Sequence, residues 1–156
     1  MHIPPFKNNN KPIVDMGDNH VPLNYFNIVK LNKDQSFEYV TPGYETCIVP
    51  ATGTINVSVD GYEVTNLGTR TVDVWDGEPE GVYVPSGVKA TLVALKNSEI
   101  FIAGAKFAKT LEPFAVRANE IDMVQYGSDD TKTHRKIKHI LGSKHHDKVG
   151  RLLCNE

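Results

Sequence analysis

The chain lacks a long apolar run: nothing approaches the ~20 residues a helix needs to cross a bilayer. The amino-terminal MHIPPFKNNN has no apolar stretch behind its first charge, so no secretory signal is read there. Cysteine is scarce. Cys47 and Cys154 are too few for a disulfide framework, and without an export signal they are expected as free, buried thiols in a reducing cytoplasm. Charge of one sign is also lacking. The formal net charge is −2, with only a mild excess of Lys, Arg and His after residue 131, so no nucleic-acid face is expected. GxSxG, a glycine-rich phosphate loop, CxxC and HExxH are all missing. These absences leave a cytoplasmic protein partnered by neither nucleic acid nor membrane.

What is present fits one ordinary domain with a single core: 156 residues, 40% hydrophobic and 23% charged. Residues 1–22 are rich in Asn, Pro and Gly, lack periodicity, and read as a poorly ordered arm. From Leu23 the pattern becomes short β-type runs. LNYFNIVKL sets Tyr25, Asn27, Val29 and Leu31 against Phe26, Ile28 and Lys30, with both faces partly apolar. SFEYV, TCIVPATG and TINVSVDGYEVTNLG follow, and in the last Ile55, Val57 and Val59 oppose Asn56 and Ser58. Asp60-Gly61 reads as a two-residue hairpin turn. RTVDVW, GVYVPSGV and ATLVALKNSEIFIAGAKF continue a rhythm of roughly 8–12 residues from turn to turn. Only PFAVRANEIDMVQYG could hold a short helix, with Asn119 as its cap. The expectation is all-β, an antiparallel jelly-roll barrel over residues 23–156.

This order of strands and turns resembles the cupins, whose metal-binding members hold a divalent ion with an HxH pair, a Glu and a later His. Facing strands can converge such groups on one ion. Here the HxH slot is FEYVTPG, spanning Tyr39 and Thr41, with no histidine, and the later slot after Pro85-Ser86-Gly87 falls near Ala90. Glu45 stands near the glutamate position but is expected as a solvated or salt-bridged strand residue. The barrel is expected to be metal-free.

Four of the six histidines lie between His134 and His146. His134 and His139 are five apart, which separates them on a strand or a helix, and His145 and His146 diverge in either geometry. They read as surface and loop histidines in a basic stretch. Asp73, Asp76 and Glu78 in DVWDGEPEG surround a turn, where Asp commonly bonds its own backbone, so structural roles are expected.

Three segments together are more specific: VPATGTINVSVDGYEVTNLGTR, VWDGEPEGVYVPSG, and RKIKHIL with GRLLCNE after a short gap. Across residues 23–156 they resemble the first half of the 5-deoxy-glucuronate isomerase family of myo-inositol catabolism. The 4-deoxy-5-hexosulose-uronate isomerases of pectin breakdown belong to the same superfamily. The resemblance implies a bicupin of about twice this length, whose HxH, Glu and His metal ligands lie in the second half. RLLCNE then resembles the crossover strand into a second barrel, and as a strand it would expose an unpaired edge and promote self-association.

The chemistry implied is aldose–ketose isomerisation of an open-chain uronate, in which a divalent metal polarises oxygens and a base moves a proton between carbons. No metal ligand carries over to this chain, so it is expected to be inactive alone. What carries over is a basic group for a sugar acid's carboxylate. Arg135 is the first candidate, because a guanidinium grips a carboxylate with two hydrogen bonds, and His139 is the second. The implied partners are a sugar-acid small molecule and a second cupin barrel or a second copy of the chain. The alternative is a metal-free cupin serving as a sugar-acid-binding or oligomerisation module.

Overall fold

Alternation builds the first strand. In β1 (Asn24–Leu31), Tyr25, Asn27, Val29 and Leu31 are all buried, as the two-residue pleat requires. The computed structural model describes residues 7–156, and the first six residues of the expected arm lie outside the described residues. Seven more strands follow: β2 (Ser36–Tyr39), β3 (Tyr44–Thr52), β4 (Ile55–Val59), β5 (Tyr62–Leu67), β6 (Gly81–Val84), β7 (Ala90–Ala94) and β8 (Ser98–Lys106). They form two antiparallel sheets, ordered β1-β8-β3-β6 and β2-β7-β4-β5, and β9 (Phe114–Val116) extends the first along β6. Sending alternate strand pairs to opposite sheets is the jelly-roll arrangement expected from the turn rhythm.

The Asp60-Gly61 turn is present. Val59 pairs with Tyr62, and φ is 46° at Asp60 and 87° at Gly61, the left-handed geometry a tight hairpin needs. Ile55, Val57 and Val59 face the core between the sheets, with Ile48, Leu92 and Ile102 among their neighbours in the cluster.

A third layer covers the outer face of the larger sheet. It comprises β10 (Asp122–Tyr126), β11 (Arg135–Leu141) and β12 (Cys154–Asn155), paired in that order. Ile140, Leu141 and Leu152 pack there against Cys47, Val49 and Tyr83. β3 is therefore buried on both faces, and its first eight residues are inaccessible.

Several expectations change. PFAVRANEIDMVQYG forms no α-helix. It holds β9, a single 3-10 turn at Ala118–Glu120 preceded by Arg117, and β10, because β-branched residues and a short length favour extended chain. RLLCNE is a strand only at Cys154–Asn155. Its Leu152 is buried beneath the third layer while Leu153 stays exposed, so the expected apolar edge is half covered. Residues 7–22 form no strand, yet they are tied to β1. Asn8 donates to Asn27 Oδ1 at 2.7 Å, Asn27 donates to the Asn10 carbonyl at 3.0 Å, and Val14 bridges Phe26. Both cysteines are free, Cys47 buried as expected but Cys154 only partly so.

Candidate functional site

In the barrel interior, the positions a cupin would use for metal are filled otherwise. Tyr39 and Ala90 are cross-strand partners, and the Tyr39 hydroxyl shares a 2.8 Å hydrogen bond with Thr46 Oγ1. Burial pushes the Tyr39 phenol far above its usual range. The Thr41 hydroxyl donates to the Tyr44 carbonyl at 3.0 Å. None of these supplies an imidazole.

Glu45 overturns the expectation of a solvated or ion-paired residue. It is wholly buried and bonded by four donors. Oε2 accepts the Tyr83 hydroxyl and the Gly150 N–H, each at 2.7 Å, and Oε1 accepts the N–H groups of Arg151 and Leu152 at 2.5 and 2.7 Å. Even-numbered side chains of β3 face the barrel, so Glu45 points outward, into the third layer. Its lone pairs are taken up by the chain returning over the sheet. Among the described residues no three His, Cys, Asp or Glu side chains gather where they could hold a metal ion. These residues do not fit the cupin set of HxH, Glu and His, which the family resemblance places in the second half.

The histidines disperse. His134 Nδ1 lies 3.0 Å from Asp129, His139 Nδ1 lies 2.8 Å from Asn155 Oδ1, and His146 Nδ1 lies 2.9 Å from the Ser143 carbonyl. His145 stacks on Phe114 at 5.4 Å between ring centres, with Nδ1 buried and unbonded among the described residues. Asp73 and Asp76 brace their own loop: Asp73 accepts the Trp75 N–H at 2.8 Å, and Asp76 accepts the N–H groups of Thr71 and Val72. A bond from the Thr71 hydroxyl, and then those two, hold the Asp76 carboxyl below its usual pKa. Glu78 pairs with Lys138 at 3.0 Å.

Arg135 and His139 are not brought to one place. Arg135 lines an open concavity of about 770 Å³ with Trp75, His134, Lys136, Ile137, Asn155 and Glu156, whereas His139 does not line it and is hydrogen-bonded to Asn155. Their four-residue separation along a strand amounts to roughly 13 Å. Trp75, Arg70 and Glu156 in this region escaped sequence reasoning. Trp75, the only tryptophan in the chain, is 90% exposed. Arg70 is 1% exposed and sends both arms of its fork to Glu156, at 2.7 and 2.5 Å, while its Nε donates to the Gly77 carbonyl. An aromatic in a turn crowded with Asp, Gly and Pro was the available signal for Trp75; nothing in sequence joins Arg70 to a residue 86 positions away.

The KduI/IolB family matches residues 2–156. The chain belongs to the KduI/IolB family. Two curated relatives carry the name 5-deoxy-glucuronate isomerase. One, from Shouchella clausii, is 28% identical over 123 residues, covering 77% of this chain and 44% of the relative. The other, from Listeria monocytogenes, is 26% identical over 133 residues, covering 83% and 48%. An IolB-like protein of Salmonella typhimurium LT2, solved by crystallography, superposes with a TM-score of 0.70 at 19% identity over 76% of this chain and 44% of that one. That likeness shows the KduI/IolB fold, a cupin-type barrel. The chain spans about half the length of the curated relatives it matches. Among the described residues no helix is long and apolar enough to cross a membrane.

Proposed function

We propose that this chain is the metal-free barrel of a uronate aldose–ketose isomerase, working on a 5-deoxy-glucuronate-like substrate in the cytoplasm as part of inositol breakdown. The observation that carries the reading is the family match over residues 2–156, together with two relatives named 5-deoxy-glucuronate isomerase. A barrel filled by Tyr39, Thr46 and Ala90, with Glu45 turned outward and bonded to the chain that crosses the sheet, supports a non-catalytic share of that work. Its share is substrate binding through Arg135 and support for a second barrel, supplied by another chain or another copy. His139 contributes less, being held by Asn155.

The test is an isomerase assay that follows conversion of 5-deoxy-glucuronate to its ketose. The 156-residue chain alone is expected to give no turnover. Addition of the separately expressed carboxy-terminal half of the Shouchella clausii relative is expected to restore it. Turnover by the chain alone would overturn the division of labour. A mixture that binds glucuronate but never isomerises it would favour the second reading, a sugar-acid-binding module, which the absence of a metal-ligand group among the described residues also supports.

A further inference from the structure

The two cysteines meet across the seam between the barrel and the third layer. On β3, Glu45, Cys47 and Val49 point outward, alternating with side chains that face the core. The chain crossing this face is pinned where Leu152 donates its N–H to Glu45 Oε1 at 2.7 Å. Two residues further along each segment stand Cys47 and Cys154, so the register that joins Glu45 to Leu152 brings the thiols together as well. Both cysteines pack in one apolar cluster with Ile140, Leu141 and Leu152, and Leu141 is the strand partner of Cys154. Gly81 leaves room for the inner sulfur, since a Cβ there would lie 3.1 Å from Cys47 Sγ. Both thiols are free, Cys47 wholly buried and Cys154 half-buried.

We propose that Cys47 and Cys154 are a peroxide-reactive pair whose reversible disulfide clamps the third layer onto the barrel. Cys154 is the sulfur that solvent reaches, and Cys47 lies behind it as the resolving thiol. The Cys47 S–H donates to Cys154, which favours the outer sulfur as thiolate, the nucleophilic form. That thiolate attacks one oxygen of hydrogen peroxide and the O–O bond breaks. Cys154 becomes a sulfenic acid, and the departing hydroxide takes a proton to leave as water. The Cys47 sulfur then attacks the sulfenic sulfur and its proton goes to the leaving hydroxyl, releasing a second water. The two thiols lose two electrons and two protons, and the peroxide gains both. In the reduced chain the layer is held by the Glu45 bonds and by apolar packing. In the oxidised chain β12 is joined covalently to β3, so the layer no longer opens. A dithiol reductant restores the first state.

The test treats the whole folded chain with hydrogen peroxide and reads intact mass, followed by non-reducing peptide mapping. The expected result is loss of the mass of two hydrogens, a Cys47–Cys154 peptide within one chain, and reversal by dithiothreitol. Oxidation is expected to raise Tm by roughly 10 °C, because the bridge joins residues far apart in the chain. Hydrogen exchange should slow in β11 and β12 with the inner sheets unchanged. Cys154→Ser is expected to leave the buried Cys47 unreactive. Cys47→Ala is expected to stop at a Cys154 sulfenic acid that dimedone traps. Oxygen added at Cys154 of the unaltered chain without a bridge, cross-links only between chains, or a bridge that lowers Tm would each overturn the proposal. The first and third would mean that the thiols do not meet in bonding geometry, and the second that Cys154 is merely an accessible thiol.

Discussion

A fully buried carboxylate ordinarily demands a cation, and Glu45 has backbone N–H groups instead. Glu45→Ala leaves those donors and the Tyr83 hydroxyl without an acceptor, a loss expected at about 3–5 kcal/mol in urea denaturation. Tyr83→Phe removes one donor and is expected to cost about 1–2 kcal/mol. An unshifted midpoint in Glu45→Ala would mean the carboxylate contributes nothing. The residue was misread from sequence for a physical reason: three of its four partners are main-chain groups of residues 150–152, which every residue carries alike. His145 gives a second test. Burial, with help from Lys148 and Lys144, lowers its pKa, against the pull of Glu120 and Asp147. The fold therefore prefers the neutral ring, and the unfolded chain binds the proton more readily. Stability is expected to be undiminished above the ordinary imidazole value of about 6.5 and to fall as pH drops below it. His145→Phe should flatten that slope in melting curves recorded across acidic pH. An unaltered slope would assign the dependence to other groups.

At the scale of elements, local patterns were legible and non-local ones were not. The Asp60-Gly61 hairpin and the alternation of β1 and β4 follow from φ preferences and the two-residue pleat, both read within a few residues. β3 was harder. Its nearly unbroken burial arises because the third layer, contributed by residues far along the chain, covers the face that alternation would leave to water. Gly81 is one place where those layers press together: a Cβ there would lie 2.7 Å from Ile140 Cγ2 and 3.1 Å from Cys47 Sγ. Gly81→Ala is accordingly expected to wedge β11 away from the barrel, at a cost of about 1–3 kcal/mol. Hydrogen exchange would show it as loss of protection in β11 and β12 with the inner sheets unchanged. Uniform loss across both sheets would instead mean that the layers do not open separately. Of the proposed binding site, Arg135 was legible as a charge in a family-like segment, but its neighbours Trp75 and Glu156 meet it only through tertiary structure.

Over the whole molecule, a jelly roll of local hairpins is closed by a distant segment. Arg70 meets Glu156 across 86 residues, Glu45 meets Leu152 across 107, and the Cys47 thiol shares a hydrogen bond with Cys154 that raises its own pKa and lowers its partner's. Fastening the end of the chain in this way holds β11, and with it Arg135 and Lys136, against the loop that carries Trp75. The Glu45 contacts also bear on biosynthesis. Glu45 is made 105 to 107 residues before the Gly150, Arg151 and Leu152 N–H groups it accepts from. Until those three residues are made, its carboxylate must stay hydrated and the outer face of β3 must stay bare. The nascent barrel then carries a sticky flank that later synthesis has to seal, so the inner sheets can form well before the layer that covers them.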